Sequence, residues 1–157
     1  MIENIPLPAT DDPVDSPFWE GTRCSKLLIQ SCSQCGEMRF PPRPMCPCCQ
    51  SRECNWQAVS GRGRIWSFAV PESPLLPAFE ALKPYVTALV ELEENPKLRI
   101  VGPLLTSVDG DIKGVNAAQV AIGQQVAVTF KYFAEDVAMP CWVAQPENSL
   151  GESDNEY

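Results

Sequence analysis

Cysteine is the residue type with the most chemical potential in this chain of 157 residues, which has eight of them. Two Cys-x-x-Cys pairs, Cys32 with Cys35 and Cys46 with Cys49, are separated by ten residues. Each pair places two thiolates on one tight turn, and two such turns facing each other complete a tetrahedral site for Zn²⁺. Because four protein thiolates leave no open coordination position, the predicted zinc is structural; iron is the alternative metal for an S₄ site.

The remaining cysteines lack a second spaced pair. Cys48 can replace Cys49 as the fourth ligand, but the two-residue spacing closes the turn better. Gly36, directly after the first pair, supplies the positive φ that such a turn favours. We interpret the other thiols as small buried or semi-exposed groups without an assigned role, namely Cys24, Cys48, Cys54 and Cys141.

Histidine is absent from the chain, which excludes Ser-His-Asp and Cys-His catalytic arrangements and any His metal ligand. Two groups of carboxylates stand close together in sequence, one at 91–94 and one at 109–111. We interpret both as solvated, on a strand face and in a hairpin turn respectively. The sequence therefore predicts no catalysis by this chain on its own.

The net charge of −8 is unevenly distributed. Residues 1–20 and 146–157 contain acids and no bases, so we expect a flexible acidic N-terminus over 1–15 and a disordered acidic tail over 146–157. Residues 21–64 contain seven bases and two acids, a net charge of +5, whereas residues 65–145 have a net charge of −4. The two modules therefore have net charges of opposite sign.

The elements that must position the cysteines are mostly strands, because sixteen prolines disfavour long helices. We predict an N-terminal helix and a rubredoxin-like zinc ribbon over 16–60. Alternating apolar residues over 61–145 predict a five-stranded OB-fold barrel. Within it we expect a turn at 93–97 and a strand at 99–107 interrupted by Gly102-Pro103. No apolar run approaches the ~20 residues of a membrane span and no signal peptide is evident, so we expect a cytoplasmic protein with no membrane partner.

This order of motifs resembles a family of small bacterial and archaeal proteins, long catalogued only as a domain of unknown function, that join a rubredoxin-like zinc ribbon to an OB-fold. The likeness covers about residues 16–145. The residues that carry it are Phe18-Trp19-Glu20-Gly21, Leu27 to Gln30 before Cys32-Ser33-Gln34-Cys35-Gly36, Phe40-Pro41-Pro42-Arg43, Cys46-Pro47-x-Cys49-x-Ser51, Trp56, Gly61-x-Gly63, Pro84-Tyr85 and Ile122-Gly123-x-x-Val126-x-Val128-x-Phe130. The doubled Cys48-Cys49 and the segment 93–97 depart from the family's pattern.

The resemblance implies a noncatalytic subunit of a hetero-oligomer with a thiolase-fold protein, such as a thiolase, an acyltransferase or a retro-aldolase that shortens steroid side chains. Such a subunit helps to bind an acyl-CoA and to complete the partner's active site, and is required by a complex that cleaves or forms C–C bonds. The basic charge of 21–64 supports this function, because arginine binds phosphates with two hydrogen bonds. The candidate acyl-CoA contacts are Arg39, Arg43, Arg62 and Arg64. They can equally balance the zinc-thiolate charge or pair with carboxylates of the partner.

An alternative function is the binding of single-stranded nucleic acid, since zinc ribbons and OB-folds both occur in such proteins. Trp66, Phe68 and Tyr132 are the aromatic residues that would then stack on bases. The net charge of −4 over 65–145 argues against it, because single-strand grooves need a positive track. Aromatic residues that alternate along a barrel strand are also more often core than platform.

Overall fold

Eight strands and two helices form the part of the chain that the computed structural model describes, residues 5–146. The predicted disordered tail lies outside these residues except for Pro146, as do the first four residues of the predicted flexible N-terminus. Ile5 packs against a cluster of buried residues beside the barrel. In chain order the elements are α1 (Ser16–Arg23), β1 (Leu27–Cys32), β2 (Met38–Arg39), β3 (Cys54–Val59), β4 (Arg62–Ala69), α2 (Pro77–Glu80), β5 (Thr87–Leu92), β6 (Asn95–Leu105), a 3₁₀ turn (Ala117–Gln119), β7 (Gln125–Ala134) and β8 (Val137–Ala144).

The helices are short, with eight residues in α1 and four in α2. Both have a proline in the first turn, where a backbone N–H would have no acceptor within the helix, so the N–H that proline lacks costs no hydrogen bond. Within residues 5–146 no helix has the length and apolar character needed to cross a bilayer. The low helix content agrees with the proline-rich composition.

The first module is a three-stranded antiparallel sheet with the order β2-β1-β3. In the middle strand, Gln30 lies opposite Arg39 on one side and Trp56 on the other. Cys32 at the end of β1 lies opposite Cys54 of β3. The sheet therefore ends at the first Cys-x-x-Cys pair and presents it next to the loop that contains the second.

The second module is a closed five-stranded barrel with the order β4-β5-β6-β8-β7. Neighbouring strands are antiparallel except β6 and β8, which run parallel where Leu104 lies opposite Trp142. This is the barrel of an OB-fold, and the predicted architecture of a helix, a zinc ribbon and a five-stranded barrel is confirmed.

Alternate residues of the barrel strands point inward, as the period of two requires. In β5 these are Ala88, Val90 and Leu92, all at most 2% exposed. The same buried cluster includes Phe18 of α1 and Ile29 of β1, so the ribbon packs on the barrel through a continuous apolar core. An ion pair between Lys97 and Glu37, with 4.0 Å between nitrogen and oxygen, adds a polar contact between the two modules.

The predicted interruption of the third barrel strand is wrong, because β6 runs without a break from Asn95 to Leu105. Gly102 instead allows β8 to approach β6 closely. A Cβ atom at this position would lie 2.5 Å from the carbonyl oxygen of Pro140 and 3.0 Å from the indole nitrogen of Trp142. The turn predicted at 93–97 is also shorter than expected, since only residues 93 and 94 separate the paired Leu92 and Asn95.

Candidate metal centre

The two Cys-x-x-Cys turns have the same backbone hydrogen bonds. In the first, the N–H of Gly36 donates to the carbonyl of Cys32 at 2.9 Å. In the second, the N–H of Gln50 donates to the carbonyl of Cys46 at 3.0 Å. Both residues after the pairs have positive φ, +73° at Gly36 and +61° at Gln50. The two turns are therefore structural repeats, and Gln50 adopts the left-handed conformation that glycine adopts in the first.

The four sulfur atoms of these turns all lie within 4.8 Å of one another. The Sγ atoms of Cys32 and Cys49 are 3.4 Å apart, and those of Cys35 and Cys46 are 3.6 Å apart. Each turn contributes one buried thiol, Cys32 or Cys46, and one exposed thiol. Sulfur atoms at this spacing surround a single metal ion at the zinc–sulfur bond length of about 2.3 Å. The four cysteines predicted from spacing are thus placed to bind a zinc ion.

The pKa values of the thiols show why this cluster needs a cation. The backbone N–H of Cys35 helps to lower the pKa of Cys32 to about 6, and the N–H of Cys49 lowers the pKa of Cys46. Although the N–H of Glu37 acts in the opposite direction, contact with the Cys49 thiol raises the pKa of Cys35 to about 12. Thiols this close repel one another once ionised, so a divalent cation is needed before all four can become thiolates.

Cys48 lies outside the group of four, and its side chain is exposed. We therefore expect Cys48→Ser to retain a full complement of zinc and to change the thermal unfolding midpoint by less than about 2 °C, since exposed substitutions usually have small effects. Metal analysis and calorimetry on the purified variant test this. Loss of zinc in Cys48→Ser, together with its retention in Cys49→Ser, would show that the second turn uses the other cysteine.

The remaining cysteines have separate environments. Cys54 accepts a hydrogen bond from the amide nitrogen of Gln30 at 3.3 Å, so its sulfur is part of the sheet's polar network. Cys141 is fully buried in the barrel wall, and desolvation raises the pKa of its thiol to about 12. A thiol with so high a pKa is a poor nucleophile. Cys24 is exposed at the end of α1.

Gln30 organises two of the predicted arginines. Its side-chain oxygen accepts from Nε of Arg39 at 2.6 Å and from the backbone N–H of Arg43 at 2.9 Å. Sequence reasoning assigned no role to this residue, although a glutamine at the end of the apolar run Leu-Leu-Ile-Gln is an available signal. Through these hydrogen bonds the glutamine links β1 to β2 and to the Pro-Pro-Arg segment. Its side chain lies on the same face of the sheet as that of Cys32, two residues further along β1.

Arg39 is only 6% exposed, and among the described residues neither of its terminal amino nitrogens has a hydrogen-bond partner. As an acyl-CoA contact it would first have to become exposed. Arg43 is exposed and stays available to an anion. Burial of a charge without an adjacent counter-ion costs free energy, and the only hydrogen bond of this guanidinium among the described residues is the one from Nε to Gln30.

Arg62 and Arg64 lie on the outer face of β4, both exposed. Arg62 pairs with Glu93 at 3.1 Å, and Arg64 donates to the carbonyl of Gly123 at 3.2 Å. The structure therefore brings the four predicted arginines together as two pairs, one in the ribbon and one on the barrel.

The aromatic residues of the alternative function do not form one platform. Trp66 and Tyr132 are about half exposed, at 48% and 52%, so the expectation that they belong to the core is wrong. Phe68 is half-buried against the core. Tyr132 bonds through its hydroxyl to the carbonyl of Arg23 at 3.0 Å, near α1, whereas Trp66 packs under Arg99.

The carboxylates at 91–94 all have local partners. Glu91 accepts from Arg99 at 3.1 Å, and Glu93 accepts from Arg62. Glu94 accepts from the backbone N–H of Ser60 at 2.6 Å, at the junction of ribbon and barrel. These contacts support the interpretation that the carboxylates are solvated surface groups with local hydrogen-bond partners.

Two family models match the chain. A model described as the rubredoxin-like zinc ribbon domain of ChsH2 matches residues 19–53, and one described as the C-terminal OB-fold domain of ChsH2 matches residues 56–131. The first range contains all four clustered cysteines. The second contains β4, β5, β6 and most of β7.

The chain is similar both to a scaffold protein and to a subunit of a hydratase. A DUF35 domain-containing scaffold protein of Methanocaldococcus jannaschii is 33% identical over 112 residues, 70% of this chain and 71% of that protein. The alpha subunit of 3-oxo-4,17-pregnadiene-20-carboxyl-CoA hydratase of Mycobacterium tuberculosis is 35% identical over 118 residues, 75% of this chain but 34% of that protein. The chain thus spans about a third of the length of this hydratase subunit.

Among solved structures, the Ltp2-ChsH2(DUF35) aldolase matches with a TM-score of 0.74 and 29% identity. The match covers 87% of this chain and 98% of that chain. The hydratase alpha subunit and the aldolase are both named as parts of enzymes with more than one subunit.

Proposed function

The chain belongs to the DUF35 family, and on that basis we propose that it is a noncatalytic, zinc-bearing subunit of an acyl-CoA enzyme. In this proposal it associates with a thiolase-fold partner, helps to hold the acyl-CoA substrate and completes the partner's active site. The reaction of the complex cleaves or forms a C–C bond next to the thioester.

The observation that carries the proposal is the match to the aldolase named for Ltp2 and ChsH2(DUF35), because it extends over nearly all of the matched chain. A relative named as a steroid carboxyl-CoA hydratase subunit supports a CoA thioester as the substrate class. The sequence resemblance independently implies a thiolase-fold partner.

Charge supports the CoA part of the proposal. The ribbon module has a net charge of +5 over residues 21–64. Four thiolates with Zn²⁺ contribute about −2, which leaves the module positive. CoA is a phosphate-rich anion, and Arg43 is an exposed guanidinium whose backbone is fixed by Gln30. Arg62 is paired with Glu93 and Arg64 is bonded to the carbonyl of Gly123, so Arg43 is the best supported of the four candidate contacts.

The side chains support an accessory role. With no histidine in the chain, carboxylates and thiols are the main groups left for acid–base or nucleophilic work. The carboxylates at 91–94 are bonded locally, and four of the thiols form the metal cluster. The buried Cys141 has a raised pKa.

Co-expression with the product of the neighbouring gene, which the proposal expects to have a thiolase fold, tests the proposal. We expect the two proteins to purify together as one stable complex through an affinity step and size-exclusion chromatography. The tag should be placed on the partner, so that recovery of this chain reports association. Failure of the purified proteins to associate, combined with tight binding of an oligonucleotide by this chain alone, would favour the nucleic-acid function instead.

Arg43→Ala tests the acyl-CoA contact. Loss of a charged hydrogen bond to phosphate should raise the dissociation constant of acyl-CoA for the complex about tenfold or more. The matched control is Arg52→Ala, which removes the same charge from another exposed position in the ribbon. Isothermal titration of both complexes with the same acyl-CoA measures the effect, and equal affinities for the two variants would remove Arg43 from the binding site.

A further inference from the structure

An exposed band of apolar and basic side chains lies on the outer face of the barrel, on β4, on β6 and in the loop before β7. Three of its members are large apolar residues with much of their surface in solvent: Trp66 at 48%, Val101 at 60% and Ile122 at 71%. Arg64 and Arg99 lie between them. We call this set of five residues the Trp66 band.

The central members lie close together although β5 runs between β4 and β6. Arg64 lies opposite Glu91 of β5, and Glu91 lies opposite Arg99 of β6. The Arg99 guanidinium sits 3.9 Å from the centre of the Trp66 ring. At the other end, Arg64 donates to the carbonyl of Gly123, which follows Ile122 in the chain.

The central tryptophan is held in place before any partner arrives. The strand register shifts between Ile65 and Ser67, so Trp66 occupies a bulge, a feature that turns a side chain away from the ladder. Arg99 covers the ring and is itself fixed by two hydrogen bonds to one carboxylate oxygen of Glu91, at 3.1 and 3.3 Å. A fixed side chain loses little entropy on binding, which favours a tight contact.

The composition of the band matches the centre of a protein interface. Tryptophan and arginine are the residues most enriched among those that dominate binding energy. The charge of Arg99 is balanced by Glu91, whereas Arg64 is bonded to a carbonyl and has no carboxylate within 4.0 Å among residues 5–146. The complementary surface is therefore an apolar depression for the indole with a carboxylate placed to meet Arg64.

A nucleic acid fits this band less well. Glu91 and Glu93 lie on the same outer face as Arg64, and residues 65–145 have a net charge of −4. Both would repel a phosphate backbone. The charge of the module thus disfavours a polyanion, whereas the local charge of Arg64 can be met by a single carboxylate of a protein partner.

We propose that the Trp66 band is the surface through which this chain docks on the partner subunit of its complex. The inference rests on the proposed function, since it takes the thiolase-fold protein as the occupant, and it adds the location and the chemistry of the contact. The partner supplies an apolar pocket for Trp66 and at least one carboxylate for Arg64.

Titration of the purified partner with variants of this chain tests the inference. We expect Trp66→Ala to raise the dissociation constant of the complex by ~30-fold or more, the scale of a dominant interface residue. Arg64→Glu should weaken binding by ~10-fold or more, and wild-type affinity should fall as salt is raised, because a charge pair is involved. Tyr132→Ala is the matched control, an equally exposed aromatic residue on β7, and should stay within ~3-fold of the wild type.

The outcomes separate the two proposals. If the wild-type chain does not bind the partner, the proposed function and the docking surface both fail. If the wild type binds and Trp66→Ala binds equally well, the docking surface is wrong while the proposed function stands. The docking surface is also wrong if Trp66→Ala abolishes the binding of a single-stranded oligonucleotide and leaves the partner's affinity unchanged. Zinc content and the unfolding midpoint of each variant confirm that it is folded.

Discussion

Cys46→Ser is expected to abolish zinc binding and to unfold the ribbon. Cys46 is fully buried and provides one of the four clustered sulfur atoms. Structural zinc contributes on the order of 10 kcal/mol to the folding of small metal modules, more than a three-stranded sheet with one two-residue strand can replace. The wild type should contain about one zinc ion per chain, and the variant close to none, as measured by mass spectrometry of the metal.

The loss should extend into the barrel. Leu27 and Ile29 of β1 belong to the same buried cluster as the barrel interior, so an unfolded ribbon exposes part of a shared core. We expect the barrel of Cys46→Ser to unfold at a lower urea concentration than that of Cys48→Ser, which differs from it only in which sulfur is removed. A Cys46→Ser chain that retains zinc and native amide protection in β1 would contradict the assigned metal centre.

Trp142→Ala should cost about 3–5 kcal/mol of unfolding free energy, the usual result of emptying a large core position. Trp142 is fully buried in β8, where it lies opposite Leu104 on one side and Val128 on the other. Because domains of this size are stable by roughly 5–15 kcal/mol, such a loss leaves much of the protein close to unfolding. Urea denaturation followed by circular dichroism measures the change.

Trp66→Ala is the matched control for this experiment. Its side chain is 48% exposed on the outside of the same barrel, so we expect the unfolding free energy to fall by less than about 1 kcal/mol. A similar loss in both variants would contradict the burial described for these two tryptophans. The contrast also matters for function, because a folded Trp66→Ala chain is required for the binding experiment.

The metal centre was predictable from sequence because its chemistry depends on short spacings. A Cys-x-x-Cys pair forms a tight turn wherever it occurs, so Cys32 and Cys35 could be predicted as ligands without knowing the rest of the fold. Spacing favoured Cys49 over Cys48, and the structure agrees, because the Cys49 sulfur lies in the group of four and Cys48 lies outside it. The left-handed conformation of Gln50, which matches that of Gly36, could not be read from the sequence.

The barrel was predictable in kind but less so in detail. Alternating apolar residues show that a strand has two faces but do not say which face is inside, so Trp66 was expected in the core although Ile65 is the buried neighbour. Gly102-Pro103 looked like a break, whereas the glycine allows the close approach of β8 at Pro140. Such features depend on contacts between residues far apart in the chain, which local patterns do not record.

The arginines illustrate the same limit for function. Their number predicted an anion-binding module, but no local pattern separates Arg39, which is buried behind Gln30, from the exposed Arg43. The fixed position of Trp66, on which its proposed docking role rests, likewise depends on Arg99 and Glu91, which lie more than twenty residues away in the chain. Charge composition indicates a class of ligand, and burial decides which residue can meet it.

The rate of acyl-CoA turnover by the thiolase-fold partner, measured as this chain is titrated into the assay, tests the accessory role most directly. We expect each protein alone to be inactive and the rate to rise to a plateau at a fixed stoichiometric ratio of the two. We also expect Cys46→Ser to fail to support turnover. Full activity of the partner alone, or steady turnover by this chain alone, would contradict the accessory role.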